Sequence, residues 1–184
     1  MPHSDERLRP WVLGELWRLT DPARQSDPDF FRAVTDCGAG VGGWLDFLKP
    51  HMPEATFTGI EVWRPYITKF RLAERYDSLI FGDVRHVDLP VADLTVFGDV
   101  LEHMPADDAL AAWEKARKVS SWLVACLPVL RYEQGPLNGN PFEVHVHHWD
   151  EESVLASFSG IVAHHGPPEG TDSVSGAFIA EGLR

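Results

Sequence analysis

Cysteine is scarce: Cys37 and Cys126 are the only two thiols in 184 residues. That is too few for a disulfide scaffold or an all-cysteine zinc site. Basic residues are outnumbered, 16 Lys and Arg against 28 Asp and Glu, for a formal charge of −12. Gripping a phosphate backbone requires cationic surface to replace its counterions. The balance therefore argues against a free-standing nucleic-acid binder, though not against a local basic groove. Long apolar runs are missing too, since none approaches the ~18 residues of a membrane span. The opening MPHSDERLRP has no apolar stretch of the secretory kind. The expectation is a soluble cytoplasmic protein with no membrane partner. At 44% hydrophobic and 24% charged, the chain suits one globular domain with a full core.

Short apolar runs alternate with helical patterns. Trp11–Leu19 has roughly helical apolar spacing, and Asp21-Pro22 and Asp27-Pro28 read as turns. Strands are expected near 32–36, 56–61, 78–81, 93–98, 122–127, 161–165 and 175–180. Helices are expected near 42–48, 65–75, 107–118 and 150–158. Strands separated by helices call for right-handed crossovers and a parallel sheet. Residues 128–148 form the longest irregular stretch, and a loop of that length in a compact domain usually has a function.

The strongest local signal is Val34-Thr-Asp36-Cys-Gly38-Ala39-Gly40-Val-Gly42-Gly43, a strand running through four glycines in six residues into a helix. Glycine suits positive φ and close approach of a ligand to the main chain. The amides of the following helix are a seat for an anion. Gly38, Gly40 and Gly43 also fit the dinucleotide pattern G-x-G-x-x-G, so the loop alone leaves the ligand open. Three later sites narrow it. Glu61 ends the second strand, where a carboxylate accepts both hydroxyls of a ribose. Asp83-Val84 after the third strand offers a side-chain acceptor and an amide to an adenine edge. Asp99-Val100-Leu101-Glu102-His103 follows the fourth. Asp36 itself is placed to attract a ligand ammonium.

In that order these motifs resemble the class I S-adenosylmethionine-dependent methyltransferases, in the small-molecule branch with a D-x-L-E-H signature. The resemblance runs from about Val34 to Leu127. It implies a Rossmann-like, doubly wound, mostly parallel α/β sheet of seven strands, the last antiparallel. It implies S-adenosyl-L-methionine as cofactor, its methionine part held by Asp36, Gly38, Ala39 and Gly40. Glu61 and Val62 would hold the ribose, Asp83 and Val84 the adenine, with Asp99 and Val100 beneath the sulfonium. Leu101, Glu102 and His103 would line the rim.

Methyl transfer from a sulfonium is a direct displacement, so a base is needed only where the acceptor has a proton to lose. His145, His147 and His103 are the candidates. In an extended Phe142–Trp149, Glu143, His145 and His147 share one face. The same three could hold a metal, although they would be stretched over about 13 Å. A divalent metal is accordingly not favoured. Arg131, Tyr132 and Trp11 are candidate substrate contacts, and Asp107 reads as a helix cap. Cys37 and Cys126 read as small apolar fillers. Asn140-Pro141-Phe142 only partly resembles the motif of amino-methylating DNA enzymes and falls after the wrong strand.

The expected organisation is a single domain over 1–184: an N-terminal helix or lid (1–31), a cofactor-binding core (32–127), a substrate-facing loop (128–149) and a C-terminal helix with strands (150–184). The expected function is methyl transfer to a small-molecule acceptor, at a hydroxyl or carboxylate oxygen. The alternatives are a cofactor-binding protein without catalysis and a nicotinamide-dependent reductase. Nothing in the sequence bears on the oligomeric state.

Overall fold

The computed structural model describes residues 5–20 and 30–184; the two Asp-Pro turns expected near 21–28 lie outside them. Seven strands form one sheet: β1 (Ala33–Cys37), β2 (Thr56–Glu61), β3 (Ser78–Phe81), β4 (Ala92–Gly98), β5 (Ser120–Pro128), β6 (Ile161–His165) and β7 (Ser175–Glu181). Their spatial order is β3-β2-β1-β4-β5-β7-β6. β1 to β5 pair in parallel, while β7 is antiparallel to both β5 and β6. The expected sheet, with its antiparallel last strand, is thus the observed one. Among the described residues no helix is long and apolar enough to cross a membrane.

Both faces of the sheet are covered, which is why its central strands read as continuous apolar runs. The alternating pleat sorts them. Val96, Val124, Cys126 and Ile179 point to one face, where Leu8, Val12 and Leu16 of the N-terminal region meet Trp44, Leu45 and Leu48. Phe97, Leu123, Ala125 and Phe178 point to the other, against Ala109, Trp113, Val154 and Phe158. The helices are α1 (Arg9–Leu19), α2 (Gly43–Leu48), α3 (Arg64–Lys69), α4 (Leu72–Arg75), α5 (Ala106–Arg117) and α6 (Glu151–Ser157). α6 starts with a capping box between Asp150 and Ser153.

Two helical expectations are corrected. The run expected over 65–75 is two short helices, because Arg71 adopts a left-handed φ of 54° between them. The break turns Arg75 back onto the carbonyl oxygens of Val41 (2.6 Å) and Gly42 (3.2 Å) and onto Asp46 (2.7 Å). It also brings the Tyr76 hydroxyl to Asp36 (2.5 Å). Asp107 is no cap: Pro105 takes that position without a side-chain hydrogen bond, and Asp107 lies in the first turn of α5. There it favours the helix dipole instead. Cys37 and Cys126 are buried fillers, as expected.

Asp36 is the most costly carboxylate in the sheet. Burial pushes it up to about 7 from 3.8, and Glu61 adds to the rise, although Tyr76 donates to it and the Arg9 and Arg75 charges oppose the shift. Its folded form thus keeps a proton that the unfolded chain has released. Stability therefore falls as pH rises from 3.8 towards 7 and stays low above. Asp36→Asn keeps an acceptor for Tyr76 and removes the charge. We expect it to unfold in urea at pH 8 with ~1–3 kcal/mol more stability than the parent, a gain that shrinks towards pH 4. Equal pH profiles for the two proteins would refute this.

Candidate functional site

The carboxyl ends of β1 to β4 open on a cavity of about 640 Å³. It lies where the strand order reverses at β1, which is where open α/β sheets hold ligands. Its floor is the glycine loop. The amides of Gly38 and Ala39 both donate to Ile60 O at 2.9 Å, and that of Gly42 to Ala39 O at 2.7 Å. The Gly40 amide donates to the Glu61 carboxylate at 2.8 Å, and the Trp63 amide to its other oxygen at 2.7 Å. These loop amides are already engaged, so none of them is left for an anion. Gly38 has φ +72°, and a Cβ there would stand 2.4 Å from Cγ2 of Val100.

A cation faces this floor instead. Arg9, 6% exposed, lines the cavity so close to the loop that a Cβ on Gly43 would lie 2.6 Å from its guanidinium. The guanidinium stands 5.5 Å from the Trp44 ring, and its one ion pair among the described residues is a 3.4 Å approach to the exposed Glu6. Its buried Nε has no hydrogen-bond partner among the described residues. Neighbouring arginines are spent elsewhere. Arg7 pairs with Asp5 (2.8 Å) and Asp172 (2.7 Å), and Arg85 with Asp83 (2.6 Å) and Asp108 (3.1 Å).

The carboxylates differ in environment. Burial raises Glu61, against the pull of the Trp63 and Gly40 amides. Burial also works on Asp83, but Arg85 outweighs it and holds Asp83 below the usual range. Asp99 takes a left-handed φ of 52°, with its amide on Cys126 O at 2.7 Å. Asp tolerates that conformation better than most residues.

The turn Leu101–His103 after β4 carries a second cluster. Glu102 is 1% exposed, and neither carboxylate oxygen has a hydrogen-bond partner among the described residues. Burial pushes it up to about 8, with Glu143 adding to the rise. Its carbonyl accepts the amides of Val146 (2.9 Å) and His147 (3.1 Å), which pins the 128–149 segment over the site. His103 and His145 stand with ring centroids 5.1 Å apart. Nδ1 of His103 meets Val144 O at 3.1 Å, and Nδ1 of His145 meets Tyr132 O at 2.7 Å. Since a carbonyl only accepts, both Nδ1 atoms carry the proton and both Nε2 atoms keep a lone pair. Burial holds both imidazoles below the ordinary value, which keeps them neutral at pH 7.

Of the residues expected at the site, Gly38, Ala39, Gly40, Glu61, Val62, Asp83, Val84, Asp99, Val100, His103, Tyr132, Glu143 and His145 line the cavity. Four do not. Asp36 is sealed beneath the loop with Tyr76. Trp11 packs on His165 at 5.3 Å, because α1 turns its apolar side to the sheet. Arg131 reaches into solvent, paired with Glu133 at 2.6 Å. His147 packs on Trp149 at 4.4 Å. The shared face of Glu143, His145 and His147 does not form, because Pro141–Glu143 is a 3-10 turn instead of a strand. Arg9, Gln134 and Asn140 complete the wall without any local sequence signal.

No protein-family model matches the sequence, and no curated protein does. Solved structures do match. One is the mitomycin 7-O-methyltransferase MmcR (19% identity, 92% of this chain and 52% of that chain, TM-score 0.60). Another is the N-terminal domain of EvdMO1 in the presence of SAH and D-fucose (16%, 92% and 82%, TM-score 0.62). A third is the PH0226 protein of Pyrococcus horikoshii OT3 (15%, 97% and 92%, TM-score 0.64). The chain spans about half the length of the mitomycin enzyme. At these identities the likeness is one of fold: the chain has the Rossmann-like fold of methyltransferases.

The close approach of Gly38 to Val100 yields a double-mutant test. Gly38→Ala should cost about 2–4 kcal/mol in chemical denaturation, since it adds both a clash and an unfavourable φ. Combining it with Val100→Ala should relieve the clash and leave the ~1–2 kcal/mol of the left-handed backbone, beyond the cost of Val100→Ala alone. Additive losses would show that the two residues do not meet.

Proposed function

We propose that the protein transfers a methyl group from S-adenosyl-L-methionine to a small-molecule acceptor at oxygen. The observation that carries this is the ring of complementary groups around one cavity. The glycine loop, Glu61, and Asp83 with Val84 follow three consecutive parallel strands, and the buried Arg9 closes the loop end. Glu61 keeps lone pairs for a ribose diol beyond the two amides it accepts. Asp83 and the Val84 amide offer an acceptor and a donor to an adenine edge. Arg9 takes the carboxylate of the methionine part, which would give the buried guanidinium a closer anionic partner than the exposed Glu6. Asp36 positions the loop from below. The SAH in the EvdMO1 structure supports the same cofactor on the same fold.

In the transfer the acceptor oxygen forms a bond to the methyl carbon as the carbon–sulfur bond breaks. The products are S-adenosylhomocysteine and a methyl ether or ester. A carboxylate acceptor arrives ionised, whereas a hydroxyl must lose its proton. His103 and His145 stand beside the Asp99–Val100 end of the cavity with lone pairs on Nε2, which suits them to that proton. Segment 128–149 forms the acceptor wall, with Tyr132, Gln134, Asn140 and Phe142. Residues 32–127 supply the cofactor half, and the N-terminal region contributes Arg9 in place of a tryptophan lid.

Calorimetric titration of the protein with S-adenosylmethionine, S-adenosylhomocysteine and NAD tests this directly. Micromolar binding of a sulfur compound and none of NAD is expected. Glu61→Ala and Arg9→Met should each weaken that binding about 10–100-fold, the value of a hydrogen bond to a charged group. Arg9→Met should leave the melting temperature equal or higher, because it removes a poorly paired buried charge. Binding of NAD alone, or of none of the three, would overturn the proposal.

A further inference from the structure

We propose that Glu102, His103 and His145 form a site for a divalent metal of the zinc type, with its open coordination position facing the cavity. One ligand atom from each residue lies within 4.8 Å of the others. No other such group of three occurs among the described residues. Glu102 is buried at the cavity wall with both oxygens unpartnered, a costly arrangement in a ligand-free fold. His103 does not relieve it, because its Nε2 stands 3.9 Å from Glu102 Oε1, beyond hydrogen-bond reach.

The tautomers point the same way. Metal-ligating histidines typically donate their second ring N–H to a carbonyl or carboxylate, which fixes the ring and leaves the other nitrogen to the metal. Here His103 and His145 donate their Nδ1–H groups to Val144 O and Tyr132 O. Two imidazole nitrogens and one carboxylate oxygen are a common three-ligand set for zinc, with the fourth position left to water or substrate. Typical metal–ligand bonds of ~2.0–2.2 Å put donors closer together than 4.8 Å, so the side chains draw inward on binding. Glu143 lies beside the cluster and adds negative charge without belonging to it.

The metal site stands independently of the cofactor. What the metal does for the reaction rests on the methyl-transfer reading. An acceptor hydroxyl taking the open position is ionised on the metal, its proton passing to solvent. With the metal bound, both histidines spend their Nε2 lone pairs as ligands, and the metal replaces the base that they offer in its absence. This narrows the acceptor class to hydroxyl compounds that can coordinate through oxygen.

The test uses the full chain after chelation and without cofactor. Zinc is titrated by calorimetry, and cobalt is followed by its visible absorption. One equivalent of zinc should bind, with cobalt giving the intense bands of a four- or five-coordinate site. His145→Asn, at a half-buried position, should weaken zinc about a hundredfold or more, with an unchanged melting temperature and unchanged S-adenosylhomocysteine binding. Glu102→Gln should do the same for zinc if it folds. His164→Ala, which removes a surface histidine paired with Glu151 at 2.7 Å, should leave zinc binding intact. No stoichiometric zinc, equal affinity in His145→Asn, or a cobalt spectrum lost only with His164→Ala would overturn the proposal. Failure to bind S-adenosylhomocysteine would count against the cofactor and not against the metal site.

Discussion

Gly38 and Val100 meet where no Cβ fits between them, and the geometry of the cavity depends on that approach. β1 and β4 are neighbours in the sheet, so the loops that follow them must pass each other at the carboxyl edge. With a bare backbone at Gly38, Val100 closes over the loop, and the turn that follows directs Glu102 and His103 inward. The loop is fixed from its other side by Ile60 O and Glu61. The same contacts therefore set the floor beneath one ligand and the wall beside the next. A shift in either loop would move both halves of the site together.

The molecule concentrates buried charge around this edge. Asp36, Glu61 and Glu102 are each nearly inaccessible and raised by burial, and Arg9 is nearly as deep with little to pair it. A hydrophobic core of this size does not need them, and burying such groups generally costs more than their mutual attraction returns. The three carboxylates lie at the ends of β1, β2 and β4, Arg9 faces them from the start of α1, and such groups are scarce through the rest of the sheet. That distribution suits a site prepared for ligand charge better than one selected for stability.

Much of this was legible in the sequence, and the gaps have physical causes. All seven strands were visible: the central ones, buried on both faces, read as apolar runs, and the half-exposed edge strands β3 and β6 as short stretches between polar turns. The loop motifs were visible because glycine, Asp and Glu at strand ends are local signals. The break at Arg71 was not, because a left-handed arginine is fixed by where Arg75 and Tyr76 must reach. The histidine segment misled for a related reason. Alternation around His145 suggested a strand, whereas the turn at Pro141–Glu143 and the grip of Glu102 O on residues 146 and 147 rotate alternate side chains apart. Arg9 lies about 30 residues before the loop that it faces, and no local pattern announces a contact made through the fold.

The position of Arg9 has a consequence for the N-terminal region as a whole. α1 is held to the sheet by Val12, Leu13 and Leu16, and the guanidinium at its first residue enters the cavity only when the helix is seated. Under the role proposed for Arg9, docking of the helix and capture of an anionic ligand are linked equilibria. Whatever factor the seated helix adds to ligand affinity, the ligand must return as added protection of the helix. On that proposal, α1 would act as a thermodynamic reporter of occupancy at a site most of whose walls lie far along the sequence.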